Sequence, residues 1–283
     1  MAGIVDAHHH FWDPARAEYP WMTDDLAPIR RPFGPSDLRP LLEEHGVERT
    51  VLVQTRSSLA ETEEFLGVAA ETGFVAGVVG WVDVTDPGVA ETLASLREGP
   101  GGRHLVGIRH QVHDEPDSDW LGRPEVGRGL RAVGQAGLVY DLLVRTRELP
   151  AAVAAVRSFP ELRFVVDHLA KPPVREGALE PWAERIAGLG GLPNVWCKLS
   201  GLVTEADWEG WRPEDLVPYV RHALEVLGPD RLLFGSDWPV CLLAASYREV
   251  LESARVALGD LSGAERDRIF GETAAEVYRL PAA

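Results

Sequence analysis

Lysine is almost missing from this chain of 283 residues: Lys171 and Lys198 are its two lysines among 28 basic side chains, the rest being arginine. Where arginine serves nearly everywhere, each remaining lysine marks a candidate position for a compact ammonium with a shiftable pKa. Cysteine is equally scarce. Cys197 and Cys241 lie in or beside apolar runs with no CxxC spacing, which speaks against a disulfide scaffold or a zinc knuckle and for two buried thiols. No apolar run approaches the roughly 18–20 residues that span a bilayer. No basic stretch followed by an apolar one opens the chain, so a cytoplasmic location is expected. Positive charge is also short, with 28 basic against 44 acidic residues and a formal net charge of −16. Such a surface repels nucleic acid and anionic membranes and excludes both as partners, while a local cationic pocket for a small anion stays compatible with it. Nothing in this composition speaks for or against a homo-oligomer.

What is present is a repeating order. Eight short β-branched runs occur: "GIVDAH" from Gly3, "RTVLVQT" from Arg49, "FVAGVVGWVD" from Phe74, "LVGIRHQ" from Leu105, "GLVYDLLV" from Gly137, "LRFVVDHL" from Leu162, "NVWCKLSG" from Asn194 and "RLLFGSDWP" from Arg231. Their near-continuous apolar character suits parallel strands buried on both faces. Amphipathic segments separate them. One spans 36–47 and opens with a capping serine; one spans 59–73; a third has Asp86 at its N-cap and Pro87 at its first turn. A last helical segment begins at Ser262 with Glu265 in capping-box spacing. Eight alternations predict a (β/α)8 barrel, an α/β fold with an eight-stranded parallel sheet, over 1–283 as one domain. A doubly wound open sheet usually carries a glycine-rich loop after its first strand, and here that strand ends in histidines. Two long loops, 11–35 and 199–213, follow strands and so belong to the C-terminal mouth, where barrel active sites form.

Polar residues collect at those strand ends, where burial is costly without a partner or a ligand. They are Asp6 to His10, Arg109 and His110, Tyr140 and Asp141, Asp167 and His168, Lys198, and Ser236 and Asp237. The run "DAHHHFWDP" is fused to a strand and reads as native, not as a purification tag. Alternate residues of a strand share a face, so Ile4, Asp6, His8 and His10 are expected on one side and Val5, Ala7 and His9 on the other. With His8 inward, His10 is inward as well, and His9 is structural. The same alternation groups Val166 with His168 and Gly235 with Asp237. His8, His10, His168 and Asp237 then converge, and such a set either holds a divalent metal with an open position for water or works without metal as an acid–base pair.

These segments, with "VLVQT", "GVVGWVD", "VGIRHQVHDEPD", "LVYDLLVR", "FVVDHLAKPP", "NVWCKLSGLVTEADW" and "FGSDWPVCLLAASY", resemble the amidohydrolase superfamily over nearly the whole chain. Within it they resemble the amidohydrolase-2 branch that contains L-fuconolactonase and L-rhamnonolactonase-type sugar-lactone hydrolases. The resemblance implies a (β/α)8 barrel, hydrolysis of a cyclic ester, a sugar-lactone substrate and a cytoplasmic place in sugar catabolism. By position the superfamily's HxH pair falls on His8 and His10, its strand-six histidine on His168 and its strand-eight aspartate on Asp237. Strand five offers Tyr140 and Asp141 where many members have a histidine, and strand four has no metal-bridging lysine. Those departures speak against a binuclear centre and leave one divalent cation, zinc or manganese, or none; no organic cofactor is implied.

For lactone opening this assigns Asp237 as the general base with His168 beside it, and His8 and His10 as holders of an ion or of the attacking water. Arg109 and Lys198 are expected to stabilise the oxyanion or the product carboxylate. His110, Asp141, Trp81, Trp208 and Trp238 are expected to bind substrate, the tryptophans by stacking on the sugar or, equally, by plain packing. The rival chemistries on the same fold are hydrolysis of a pyrone-type dicarboxylate lactone and non-oxidative decarboxylation. A non-catalytic sugar-acid-binding barrel is the reading outside enzymology.

Overall fold

In a computed structural model, which describes residues 3–281, eight parallel strands form one sheet in chain order. They are β1 (Ile4–His9), β2 (Val47–Val53), β3 (Val75–Gly80), β4 (Leu105–His110), β5 (Val139–Leu142), β6 (Arg163–Val166), β7 (Val195–Leu199) and β8 (Leu232–Phe234). Two backbone bonds join the segment just after β8 to the end of β1: His10 N–H donates to Trp238 O and Asp237 N–H to His8 O, both at 2.8 Å. The expected (β/α)8 barrel is therefore the fold, and its closing seam ties two candidate site segments to each other.

The outer layer follows the alternation read from the sequence: α1 (Pro35–His45), α2 (Leu59–Glu71), α3 (Val89–Glu98), α4 (Pro124–Gln135), α5 (Leu149–Ser158), α6 (Trp182–Ala187), α7 (Pro213–Leu227) and α8 (Tyr247–Leu258). Local chemistry sets the ends. Ser58 caps α2 by accepting from Glu61 N–H at 3.3 Å, and Gly46 ends α1 in the left-handed conformation, φ 67°. The expected start of α3 moves by two residues. Asp86 accepts from Gly88 N–H at 2.6 Å, which closes a turn, and Gly88 becomes the N-cap. The expected last helix is interrupted. Its Ser262–Glu265 capping box is present, but α9 (Gly263–Asp267) passes through a π turn at Arg268–Glu272 before α10 (Thr273–Val277). At that turn Gly271 packs so closely on Gly3 that a Cβ would lie 2.4 Å from the Gly3 carbonyl oxygen. Among the described residues no helix is long and apolar enough to cross a membrane.

Val5, Ala7, Val51, Val53, Val79, Val139, Val165 and Leu233 fill the barrel, with Ala274, Val277, Tyr278 and Leu280 packed against them. This overturns part of the expected phase of β1, because Val5 and Ala7 point inward. Asp6 instead turns to the helix side, accepting from Tyr247 O–H of α8 at 3.0 Å and from Ser236 N–H at 2.8 Å. Asp6 pairs with Thr50 and His9 with Leu52, so three steps on β1 match two on β2. This bulge places one extra residue in β1 and shifts the phase of the residues beyond it. There the expectation holds: His8 and His10 face the interior, and His9 faces out onto Thr50 Oγ1 at 2.8 Å.

Candidate active site

Three nitrogen and oxygen atoms converge at the mouth. His8 Nε2 lies 3.1 Å from His10 Nε2, His10 Nε2 lies 3.4 Å from Asp237 Oδ1, and His8 Nε2 lies 3.7 Å from that same oxygen. His168 stands beside this triangle, its ring centroid 4.5 Å from that of His8. His8, His168 and Asp237 each offer a donor atom within 4.8 Å of the others. All four side chains are buried.

Strand alternation does not deliver His168 and Asp237, because both lie past the ends of their strands. β6 ends at Val166, and His168, Leu169, Ala170 and Lys171 then all take positive φ, between 49° and 59°. β8 ends at Phe234, and Asp237 has φ 56°. Left-handed backbone costs a non-glycine residue about 1–2 kcal/mol, and such residues persist only where their surroundings over-determine them. Here Trp182 Nε1–H donates to Leu169 O at 2.7 Å, and Lys171 Nζ holds Glu205 at 2.6 Å. Asp237 is pinned by its N–H on His8 O and by Cys241 N–H on its own carbonyl, 2.9 Å.

Hydrogen-bond partners orient the rings. His10 Nδ1–H donates to Val53 O at 2.8 Å, which aims Nε2 at the site. His8 Nε2 lies 3.1 Å from His10 Nε2, and His8 Nδ1 lies 3.1 Å from Lys198 Nζ and 3.3 Å from Asp167 Oδ1. Burial drives the pKa of His8 well below the usual histidine value, and the Lys198 charge adds to this. Burial likewise lowers His168 to about 4, and its Nδ1 pairs with Ser200 Oγ at 2.8 Å. Burial works against the charged form of Asp237, but the neighbouring His168 and His10 outweigh it and hold the carboxyl below its ordinary range. Asp237 is therefore a carboxylate at neutral pH.

Beneath the triangle lies a buried charge network. Lys198 contacts Asp141 Oδ2 at 2.6 Å and Asp167 Oδ1 at 2.9 Å, and Asp167 Oδ2 accepts from Arg109 Nη1 at 2.9 Å. Arg109 also donates to the carbonyl oxygen of Gln54, and its Nη1 lies 3.4 Å from His8 Nε2. Burial raises Asp141 to about 6 against the pull of Lys198. Asp167 sits among three cationic or imidazole partners and lies well below the usual carboxylate range: burial opposes this, and Lys198 and His8 outweigh it.

Several sequence expectations change with these placements. Lys198 and Asp141, expected to touch substrate, are both 0% exposed and bonded to each other beneath His8. Trp238, expected to stack on a sugar, is 2% exposed and packs edge-on against Phe11 and Phe33. Trp208 lines a groove with Trp211, Pro213, Ala244 and residues of α8. Its Nε1–H is bound to Thr204 O at 2.9 Å. Trp81 and His110 stay at the mouth as a pair: Trp81 Nε1–H donates to His110 Nδ1 at 3.1 Å, and His110 Nε2 meets Glu115 at 2.8 Å while its ring stacks on Trp120. Gln54, Ser200 and Gly201 had no assigned role in the sequence, and Asp167 was noted only as a strand-end residue. Asp167 alternates with the inward Val165, which is the signal that finds it; Ser200 and Gly201 directly follow Lys198 and Leu199 at the end of β7.

The sequence profile of the family described as Amidohydrolase matches residues 5–280. An L-fucono-1,5-lactonase of Burkholderia ambifaria is 42% identical, the alignment covering 99% of this chain and 97% of that protein. One from Burkholderia multivorans is 41% identical, over 98% and 96%. A crystal structure of an amidohydrolase from B. multivorans with bound zinc superposes with a TM-score of 0.93 at 40% identity, covering 99% of this chain and all of that one. By fold and by sequence over almost its whole length, the chain belongs to the amidohydrolase family.

Proposed function

We propose that this protein hydrolyses a sugar lactone, opening an aldonolactone of the L-fucono-1,5-lactone or L-rhamnonolactone type to its sugar acid. The observation that carries the reading is the convergence of Asp237 with His8 and His10 at the mouth, in a chain 41–42% identical to two L-fucono-1,5-lactonases. Asp237 takes a proton from a water molecule as the water oxygen bonds to the lactone carbonyl carbon. The carbonyl oxygen becomes an oxyanion, and Arg109, bonded to Asp167 and Gln54 beneath the triangle, contributes its positive charge from below without a direct contact. The carbon–ring oxygen bond then breaks, and the ring oxygen takes a proton handed on from Asp237 with His168 alongside. Each turnover yields a free hydroxyl, a carboxylate and one acid equivalent.

The donor set fits one divalent ion held by His8, His10 and Asp237, with His168 adjacent. Donor separations of 3.1, 3.4 and 3.7 Å bracket the edge of about 3.3 Å expected for ligands around tetrahedral zinc. When bound, such an ion lowers the pKa of a coordinated water toward 7. Holding it requires His8 to carry its proton on Nδ1, where Asp167 Oδ1 stands 3.3 Å away to accept.

A dicarboxylate lactone needs free arginines at the mouth. Arg109 is committed to Asp167 and Gln54, and Arg56 to Glu61 at 3.2 Å, which favours a sugar lactone over a pyrone dicarboxylate. The test is acid release from a panel of aldonolactones and one pyrone-type dicarboxylate lactone, followed with a pH indicator before and after chelation, with metal content measured by elemental analysis. Turnover of an aldonolactone supports the reading. Saturable binding of every lactone without acid release refutes it in favour of a binding protein.

A further inference from the structure

The floor of the barrel carries a residue that lactone hydrolysis does not use directly. The C-terminal segment turns under the strands, and Tyr278, 2% exposed, sends its hydroxyl up to Asp141, 2.8 Å from Oδ2 and 3.0 Å from Oδ1. Asp141 Oδ2 holds Lys198 at 2.6 Å, and Lys198 Nζ also lies 5.5 Å from the centroid of the Tyr278 ring. Lys198 in turn meets His8 Nδ1 at 3.1 Å. We propose that Tyr278 is a positioning residue for His8: through Asp141 it fixes the Lys198 ammonium under the imidazole and so fixes where His8 Nε2 points.

An ammonium has three N–H donors and no acceptor. Lys198 donates to Asp141 Oδ2 and to His8 Nδ1 and forms an ion pair with Asp167 Oδ1 at 2.9 Å, so the ammonium is held between two carboxylates directly under the imidazole. Asp167 is held from its other side by Arg109, and Asp141 is held from its other side by Tyr278. Without the phenol hydroxyl, Asp141 keeps Lys198 alone and turns about its side-chain torsion, taking the ammonium away from Nδ1. His8 then loses the partner that orients its ring and selects its tautomer. Outer partners of this kind are worth about 10–100-fold in activity at comparable sites. Tyr278 touches no substrate, so the loss falls on kcat and leaves KM nearly unchanged.

The kinetic part of the test rests on the lactonase reading; the spectroscopic part does not. In metal-free, ¹⁵N-histidine-labelled protein, the His8 ring signals are assigned by their loss in His8→Gln. The wild type is expected to show His8 with an unprotonated Nδ1 and a protonated Nε2. Tyr278→Phe is expected to shift or broaden these signals and, in the same metal-free protein, to lower kcat by about 10–100-fold and leave KM within about twofold. Should Tyr278→Phe fail to fold, Asp141→Asn is expected to produce the same His8 shift. A wild-type His8 protonated on Nδ1 overturns the proposal. So do unchanged His8 signals and kcat in a Tyr278→Phe protein whose only defect is a lower melting temperature, for then Tyr278 is merely a plug. If the wild type opens no lactone, the functional reading fails and the His8 signals still decide the role of Tyr278.

Discussion

Gly201→Ala should disable the site while leaving the barrel folded. Gly201 lies just past β7 with φ 63°, and a Cβ built there would lie 2.5 Å from His168 Nδ1, 2.8 Å from its Cγ and 3.1 Å from Asp237 Oδ2. Ordinary contact begins at 3.4 Å, so His168 must retreat by roughly 0.9 Å, the difference between 3.4 and 2.5. It has nowhere easy to go: its Nδ1 is bound to Ser200 and its backbone sits in a left-handed turn. A misplacement of about 1 Å in a reacting group costs on the order of 10²-fold in rate. The stability cost is smaller. Left-handed alanine costs about 1–2 kcal/mol and a lost hydrogen bond about 1, against about 0.4–1 regained from the stiffer unfolded chain. A net loss of about 1–2.6 kcal/mol lowers the melting temperature by roughly 2–10 °C in a protein of this size. Acid release from an aldonolactone and thermal unfolding by circular dichroism measure the two effects. Gly191, around which a Cβ would meet nothing within 4 Å, is the control, and Gly191→Ala should leave kcat unchanged and not lower the melting temperature. A Gly201→Ala enzyme with wild-type kcat refutes the placement of His168 and Asp237 in the reaction.

The buried charges and the donor triangle carry three further predictions. Lys198→Met leaves Asp141 and Asp167 without their common cation and should cost about 3–5 kcal/mol in denaturant unfolding; an unchanged midpoint contradicts the network. His9 is lowered to about 3 by burial, His168 to about 4, and His8 well below 6.5, so all three are neutral in the fold and take up protons on unfolding near pH 6.5. Their contribution is full above that pH and is lost as pH falls toward 4, each by up to about 1.4 kcal/mol per pH unit, and a urea midpoint that does not drop between pH 7 and pH 5 rules this out. Zinc added to chelated protein should raise the melting temperature, by about 3 kcal/mol of linkage at 100 times its dissociation constant, and His10→Gln should remove most of the increase; an equal increase in the variant places the ion elsewhere.

The architecture was legible because eight apolar runs alternate with eight amphipathic ones, and a closed parallel barrel uses such a pattern without a glycine-rich first loop. Alternation was sound for as long as the ladder was regular. It put His8 and His10 inside and His9 outside, but assigned Asp6 to the wrong face, because a single extra residue at the bulge is invisible in the spacing of side chains. His168 and Asp237 do reach the mouth beside His8, but by a geometry strand alternation does not describe, since left-handed turns beyond the strands deliver them. Lys198 and Asp141 were correctly marked as unusual strand residues, yet their depth below the mouth depends on each finding the other across the barrel. Tyr278 escaped entirely. It sits in the terminal segment, 137 positions from Asp141, and nothing local distinguishes a tyrosine that plugs a barrel from one that packs on a helix.

The most direct measurement is the rate of acid release from L-fucono-1,5-lactone by wild-type protein and by Asp237→Asn, at equal folded concentration. Removing a positioned general base should cost on the order of 10²–10⁴-fold in kcat. The account predicts turnover by the wild type and a loss of that size in the variant, with the melting temperature little changed. An Asp237→Asn protein that opens the lactone at the wild-type rate would contradict it.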